Sequence, residues 1–324
     1  MVRNPTHVTL LAIARAGNRL VAVGVHGVII YSDDDGLTWR QARVPVSVTL
    51  TALSFPTSKD GWAVGHFGVV LHSIDGGKTW QKQLDGMQVN QMAMAAAQKA
   101  STDGSTAPGT AYAIRRAAHF LNQGPTEPFL TIWAPDAKTA IVFGAYRMAD
   151  ETTDGGKSWT DWSLHIGDRL SHNIYDATTI GTQICLAGEV GLVFCSSDHG
   201  QSFTPLSPTG EATLLGISPT GAGGLLAYGI AGSAYLSKDD GQTWKSLDFF
   251  EKSNIAAGTI LKSGALVLVD QAGNIFISRD HGDHFSMLPV HESMSLYGLE
   301  QAENGNVVLV GSEGVRSLPA DDFK

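Results

Sequence analysis

Charge is scarce in this chain, and long greasy stretches are absent. Charged residues make up 16% of the 324 positions, and the formal net charge is −9. No basic stripe runs through the sequence, which argues against nucleic acid and anionic lipid as partners. No apolar run approaches the ~18 residues that span a bilayer, so direct membrane insertion is not expected. The opening MVRNPTHVTLL has neither the apolar stretch nor the cleavage site of a leader peptide. It reads as a cytoplasmic protein, or as a mature exported domain with an added Met. Cys-x-x-Cys, His-Glu-x-x-His, phosphate-loop and nucleophile-elbow motifs are missing, and no cofactor is expected.

Cysteine occurs only twice, at Cys185 and Cys195. A hairpin turning at Glu189-Val190 sets Cys185 opposite Phe194 and Cys195 opposite Ile184. The sulfurs then point to opposite faces of the sheet, so the expectation is two buried thiols and no bridge. Such thiols report no redox compartment.

What the chain does have is glycine, 37 of them, and a recurring phrase. YSDDDGLTW at 31–39 looks like a calcium loop. With Gly36 at its sixth position, however, Tyr31 falls at the first and Ala42 at the twelfth, and neither can serve as the ligand required there. The phrase returns as HSIDGGKTW, ETTDGGKSW, CSSDHGQSF, LSKDDGQTW and ISRDHGDHF, with aromatics at Trp39, Trp80, Trp159, Phe203, Trp244 and Phe285. Most steps are roughly 41–44 residues, a spacing typical of repeat architectures. Each unit reads as four short strands divided by turns, which selects a propeller blade.

Hairpins between second and third strands number seven, at 21–32, 62–73, 140–152, 184–196, 225–237, 266–278 and 307–317. The fold class is therefore an all-β, seven-bladed propeller forming a single domain over 1–324. Asp34, Asp75, Asp154, Asp198, Asp239 and Asp280 are structural: each Asp accepts turn N–H groups, and the Gly two residues on permits φ > 0. The last unit stops after three strands, and residues 2–8 are expected to supply its missing outer strand. The doubled step between Trp80 and Trp159 marks an insertion at 85–127, rich in Ala, Met and Gln. Ile114, Ala117, Ala118 and Leu121 fall at helical spacing there, and two short helices are expected.

The phrase GWAVGHFGVVLHSIDGGKTW (61–80), its variants, and PFLTIWAPDAKTAIVFGAYR (128–147) resemble the photosystem II stability/assembly-factor-like proteins, seven-bladed BNR (Asp-box) propellers. The resemblance covers nearly the whole chain. It implies a non-catalytic binding or assembly role outside the cytoplasm, periplasmic in the bacterial branch. The partner it implies is a protein, a membrane exporter or assembly complex. Sialidases also carry Asp boxes, but they need arginines at the inner strands, and none of these strands begins with Arg.

Turns between second and third strands share one face with the links between blades, and the Asp boxes take the other. The first face is the expected pocket. Its turns bring His26, His66, Tyr146, Arg147, Glu189, Gln271 and Glu313 to one rim. The third blade breaks pattern: Arg147 replaces a turn glycine, and Asp150 stands where other third strands carry Leu71, Tyr31, Phe194 or Phe276. The bland reading is a rim salt bridge, Arg147–Asp150 or Arg147–Glu189. The insertion emerges on this face as a possible lid, with Met87, Met92 and Met94 as adaptable contacts. The 161–173 link adds His165, Asp168, Arg169 and His172. Convergence of His26, His66 and His172 on a metal is not visible in sequence, so no metal is assigned.

Two functions fit. One is a binding propeller for a protein segment or an apolar small molecule. The other is an enzyme of the hydrolase, lyase or isomerase type. There Glu189 or His66 would act as base, Tyr146 or His172 as acid, and Arg147 as the anion anchor.

Overall fold

The computed structural model describes residues 2–102, 110–166, 171–206, 210–221, 223–249 and 252–324. Seven antiparallel sheets form, six of four strands and one of three, each in sequence order. The first strand of each sheet is innermost: Leu10–Ala16, Leu50–Ser54, Phe129–Trp133, Ile174–Ile180, Leu214–Pro219, Ile255–Ile260 and Leu296–Gln301. Each inner strand touches the next, and the seventh touches the first, so the ring closes. Second strands such as Gly61–Gly65 and Val307–Gly311 are buried at every position. They are continuous apolar runs because neighbouring blades cover both of their faces.

The Asp boxes hold the outer hairpins by one repeated network. In blade 2 the Ser73 hydroxyl donates to Asp75 Oδ1 and accepts from Gly77 N. Asp75 accepts the N–H groups of Lys78 and Thr79 and, at 2.6 Å, the Thr79 hydroxyl. Asp34, Asp154, Asp198 and Asp239 repeat the hydroxyl contact at 2.6 Å, and the His284 ring takes that place on Asp280. The aromatic that closes each box packs against the preceding blade. Trp80, for example, joins the cluster of Val21, Ala63 and Leu71.

The seventh blade has no Asp box. Its place between blades 6 and 7 is filled by Phe323, at the end of the 3-10 turn Ala320–Phe323, which is buried with Leu261, Val267 and Leu318. The N-terminal segment departs from expectation. Pro5–His7 forms a 3-10 turn packed on Gly314–Leu318, and the last sheet keeps three strands. Pro5 has no N–H to give a ladder, so this segment covers the edge without pairing along it.

The cysteines also depart from expectation: Cys185 and Cys195 are disulfide-bonded. They sit directly opposite each other in the ladder, with Leu186 facing Phe194. The turn is centred on Val190, not between Glu189 and Val190. Gly188 N donates to Leu192 O, and Val190 and Gly191 both have positive φ. One extra loop residue shifts the register by one and brings both sulfurs to the same face.

The insertion forms two helices, α1 (Gly86–Thr102) and α2 (Thr110–Gln123). Val89 and Met92 of α1 pack onto Val64, Val70 and Phe129 between blades 2 and 3. The buried Asn90 amide ties the helices together by donating to Phe120 O and Gly124 O. No helix among the described residues is long and apolar enough to cross a membrane.

Candidate functional site

Each second-to-third-strand turn is clamped to the start of its own inner strand by a repeated hydrogen bond. The carbonyls of Thr9, Thr49, Pro128, Asn173, Thr213, Asn254 and Ser295 accept from the N–H groups of Val25, His66, Ala145, Glu189, Ile230, Gln271 and Ser312. In six blades the residue before the donor is glycine, and the approach is close: a Cβ on Gly24 or Gly65 would lie 2.1 or 2.2 Å from the accepting oxygen, while blade 6 carries Asp270 there. In five of the turns the central residue takes the left-handed region. His26, Phe67, Tyr146, Val190 and Ala231 have φ between 53° and 59°. For a β-branched valine or a large aromatic this is costly backbone, of the sort that collects at functional sites. These tips also face solvent: Phe67 is 47% exposed, Tyr146 49% and Val190 53%.

Inside this rim lies a second ring. Every inner strand has a β-bulge just after its start, and the skipped residues are Leu11, Thr51, Leu130, Tyr175, Leu215, Ala256 and Tyr297. Bulges re-aim side chains. All seven of these line a central cavity of about 590 Å³ that also takes in Thr131, Asp176, Tyr228 and Gln271.

Asp176 is the carboxyl group that lines this cavity among the described residues. Its oxygens accept from Ile217 N at 2.9 Å and Ala177 N at 2.8 Å. Burial pushes its carboxyl up to about 6, against the pull of these N–H groups and of the Thr131 hydroxyl. Tyr228 lies close by, its hydroxyl 3.2 Å from Ser218 Oγ.

The structure disperses the residues singled out in the sequence. Gln271 alone among them lines the cavity, accepting from Asn254 Nδ2. His26 lines a separate lateral cleft with Gln41 and Val46. The His66 ring stands 6.5 Å from that of Phe67. Glu189 is a clamp, accepting from Asn173 N and Nδ2. Glu313 lies 3.6 Å from the Arg316 guanidinium. Arg147 is buried with φ 60°, its N–H donating to His172 O.

Asp150 is buried in the outer half of blade 3, directly across from Asp161. Burial, then the Asp161 charge, holds its carboxyl well above the usual range, while Arg116 of α2 opposes the shift. Arg116 also donates to Tyr146 O and to Ser163 Oγ, so it pins α2 to the rim. Among the described residues, neither helix contributes to the lining of the central cavity. Asp168 and Arg169 lie outside the described residues. Sequence reasoning missed the bulge collar and the apolar tips Phe67 and Val190. The collar's signal was present in strand starts such as Thr9-Leu10-Leu11, Asn173-Ile174-Tyr175 and Ser295-Leu296-Tyr297.

The two carboxyl populations give stability an unusual pH dependence. Hydrogen bonds from the hydroxyl and N–H of Ser158 hold Asp154 at about 2, and the Ser202 and Ser196 hydroxyls hold Asp198 there. Their contribution is complete above the unfolded value near 4 and is lost as pH falls towards 2. Asp176 at about 6 and Glu300 at about 7 are raised, chiefly by burial. Their contribution is complete below about 4 and is lost as pH rises through 6 to 7. The melting temperature is therefore expected to peak at about pH 4–5. In a pH series of thermal melts, Glu300→Gln should flatten the alkaline flank, and a steady rise from pH 4 to 8 would contradict these assignments.

Comparison with known proteins places this architecture. The model of the family described as photosynthesis system II assembly factor YCF48 matches residues 2–119 and 125–316. A curated relative, the photosystem II assembly lipoprotein Ycf48 of Synechococcus sp. (strain CC9902), is 35% identical over 71 residues, 22% of this chain. The match spans 21% of that relative's length. Among solved structures, YCF48 bound to D1 peptide is 18% identical with a TM-score of 0.67, covering 96% of this chain and 93% of that one. YCF48 from Cyanidioschyzon merolae is 15% identical with a TM-score of 0.66, covering 96% and 95%. At those identities the structures speak for the fold, while the family match runs almost end to end. The chain belongs to the photosynthesis system II assembly factor YCF48 family of BNR propellers.

Proposed function

We propose that this chain is a non-catalytic assembly propeller that holds an extended segment of a partner protein across the face of the clamped turns. The observation that carries the reading is the pair of concentric rings: strained, exposed tips around an open cavity collared by seven bulged side chains. Apolar tips on a rigid scaffold suit main-chain and side-chain capture of a peptide. A similar propeller has been solved bound to D1 peptide. Residence in an exported, periplasmic compartment belongs to the same proposal. The Cys185–Cys195 bridge suits oxidising surroundings, and the curated relative is a lipoprotein by name. An exporter or an assembly complex would be the source of the segment.

The test is an array of acetylated, amidated decapeptides of random sequence. The wild-type protein should enrich a defined set. Val190→Asp and Phe67→Asp each place a charge on a tip and should weaken the enriched peptides about tenfold, roughly the loss of one well-packed anchor. Leu37→Asp on the Asp-box face should leave them unchanged. An array with no enriched peptide would end the proposal.

A further inference from the structure

Asp176 is a carboxylate at the wall of the central cavity without a cation of its own. Among the described residues no Lys, Arg or His forms an ion pair with it, and its influences are burial, the donors Ile217 N and Ala177 N, and the Thr131 hydroxyl. Two of those donors are backbone N–H groups of fixed position, Ile217 N from the next blade and Ala177 N from its own strand. The carboxyl is thus held rigidly, on a half-buried residue that lines the cavity. Tyr175 beside it, Tyr228 of blade 5 and Tyr297 of blade 7 also line the cavity, and among the described residues no basic side chain does. Aromatic walls with a carboxylate favour cations.

We propose that the central cavity is a specificity pocket for one basic side chain, Lys or Arg, of the bound segment, with its cation seated against Asp176. This deepens the peptide-binding reading given above and rests on it. The rim would hold the segment by apolar contact without regard to charge, and the cavity would select register by admitting one cation. An acidic or large apolar side chain at that register would leave Asp176 repelled or unpaired.

The probes are the tightest peptides from the decapeptide array, each remade with its Lys and Arg replaced singly by norleucine, and measured by fluorescence anisotropy. In the wild type, one basic position per peptide should weaken binding about tenfold or more when replaced, as for a desolvated charge contact. In Asp176→Asn, which keeps an acceptor for Ile217 N, the same replacement should change affinity less than about twofold. Leu215→Lys is a second variant that does not disturb the Asp176 hydrogen bonds. It places a cation at the partly exposed collar and should erase the preference in the same way. Enriched peptides without Lys or Arg would overturn the pocket while leaving peptide capture standing. So would an undiminished preference in both variants. An array with no binders would fail earlier, and both readings would fall with it.

Discussion

Phe323→Ala should destabilise the propeller by about 3–5 kcal/mol, the range for emptying a packed aromatic site. The size of the effect follows from where this side chain sits. Blades 1 to 6 each brace the preceding blade with an Asp-box aromatic, and blade 7 has none. Phe323, 5% exposed, takes the corresponding place from the far end of the chain, among Leu261, Ala265, Val267 and Ile277. The Arg279 guanidinium fixes the segment by donating to Phe323 O and Lys324 O. Deleting residues 320–324 should cost at least as much, since it also uncovers Leu318. Lys324→Ala, which changes only an exposed ion pair with Asp321, should be near neutral. Denaturant unfolding of the three variants checks the ranking. A Phe323→Ala midpoint equal to wild type would mean that blade 7 is braced by other contacts.

The Cys185–Cys195 bridge gives the second large effect. It closes a loop across a sequence separation of 10 inside blade 4. Constraint of the unfolded chain by a loop of that size is worth about 3 kcal/mol. The Cys185→Ala/Cys195→Ala double variant should lose about that much and still fold, because Ile184, Leu186 and Val193 keep the blade packed. Protein from oxidising expression should be two hydrogens lighter by intact mass than protein unfolded in reductant. A full complement of reactive thiols in the oxidised sample would show that the bridge does not form.

Most of the fold was legible because the repeat carries its own physics. Six Asp boxes fix six hairpins, and the apolar second strands between them follow from burial on both faces. The cysteine pairing was missed by one residue of register. A turn of Gly188 to Leu192 centred on Val190 cannot be told from a two-residue turn by composition alone, yet it decides which side chains face each other. The N-terminal closure was misread in detail because the missing outer strand was visible while the inability of Pro5 to pair was given too little weight.

The candidate site was less legible. The sequence singles out polar residues at the turns, and the structure spends several of them on support: Glu189 on Asn173, Arg147 on the His172 carbonyl. The residues that face the cavity are the unremarked third letters of the inner-strand starts. Each bulge lies beside the residue whose carbonyl holds the turn, a contact distant in sequence, and its local trace is only the likeness of the strand starts. Asp176 was passed over for the same reason, since it sits next to the bulge at Tyr175.

Hydrogen–deuterium exchange of the protein with and without its tightest array peptide locates the bound segment. Protection is expected in the clamped turns around Val25, Phe67, Tyr146 and Val190 and in the collar strands near Tyr175 and Tyr297, with the Asp-box hairpins around Asp34, Asp75 and Asp239 unchanged. Protection confined to the Asp-box hairpins, or to the outer strands, would contradict that location.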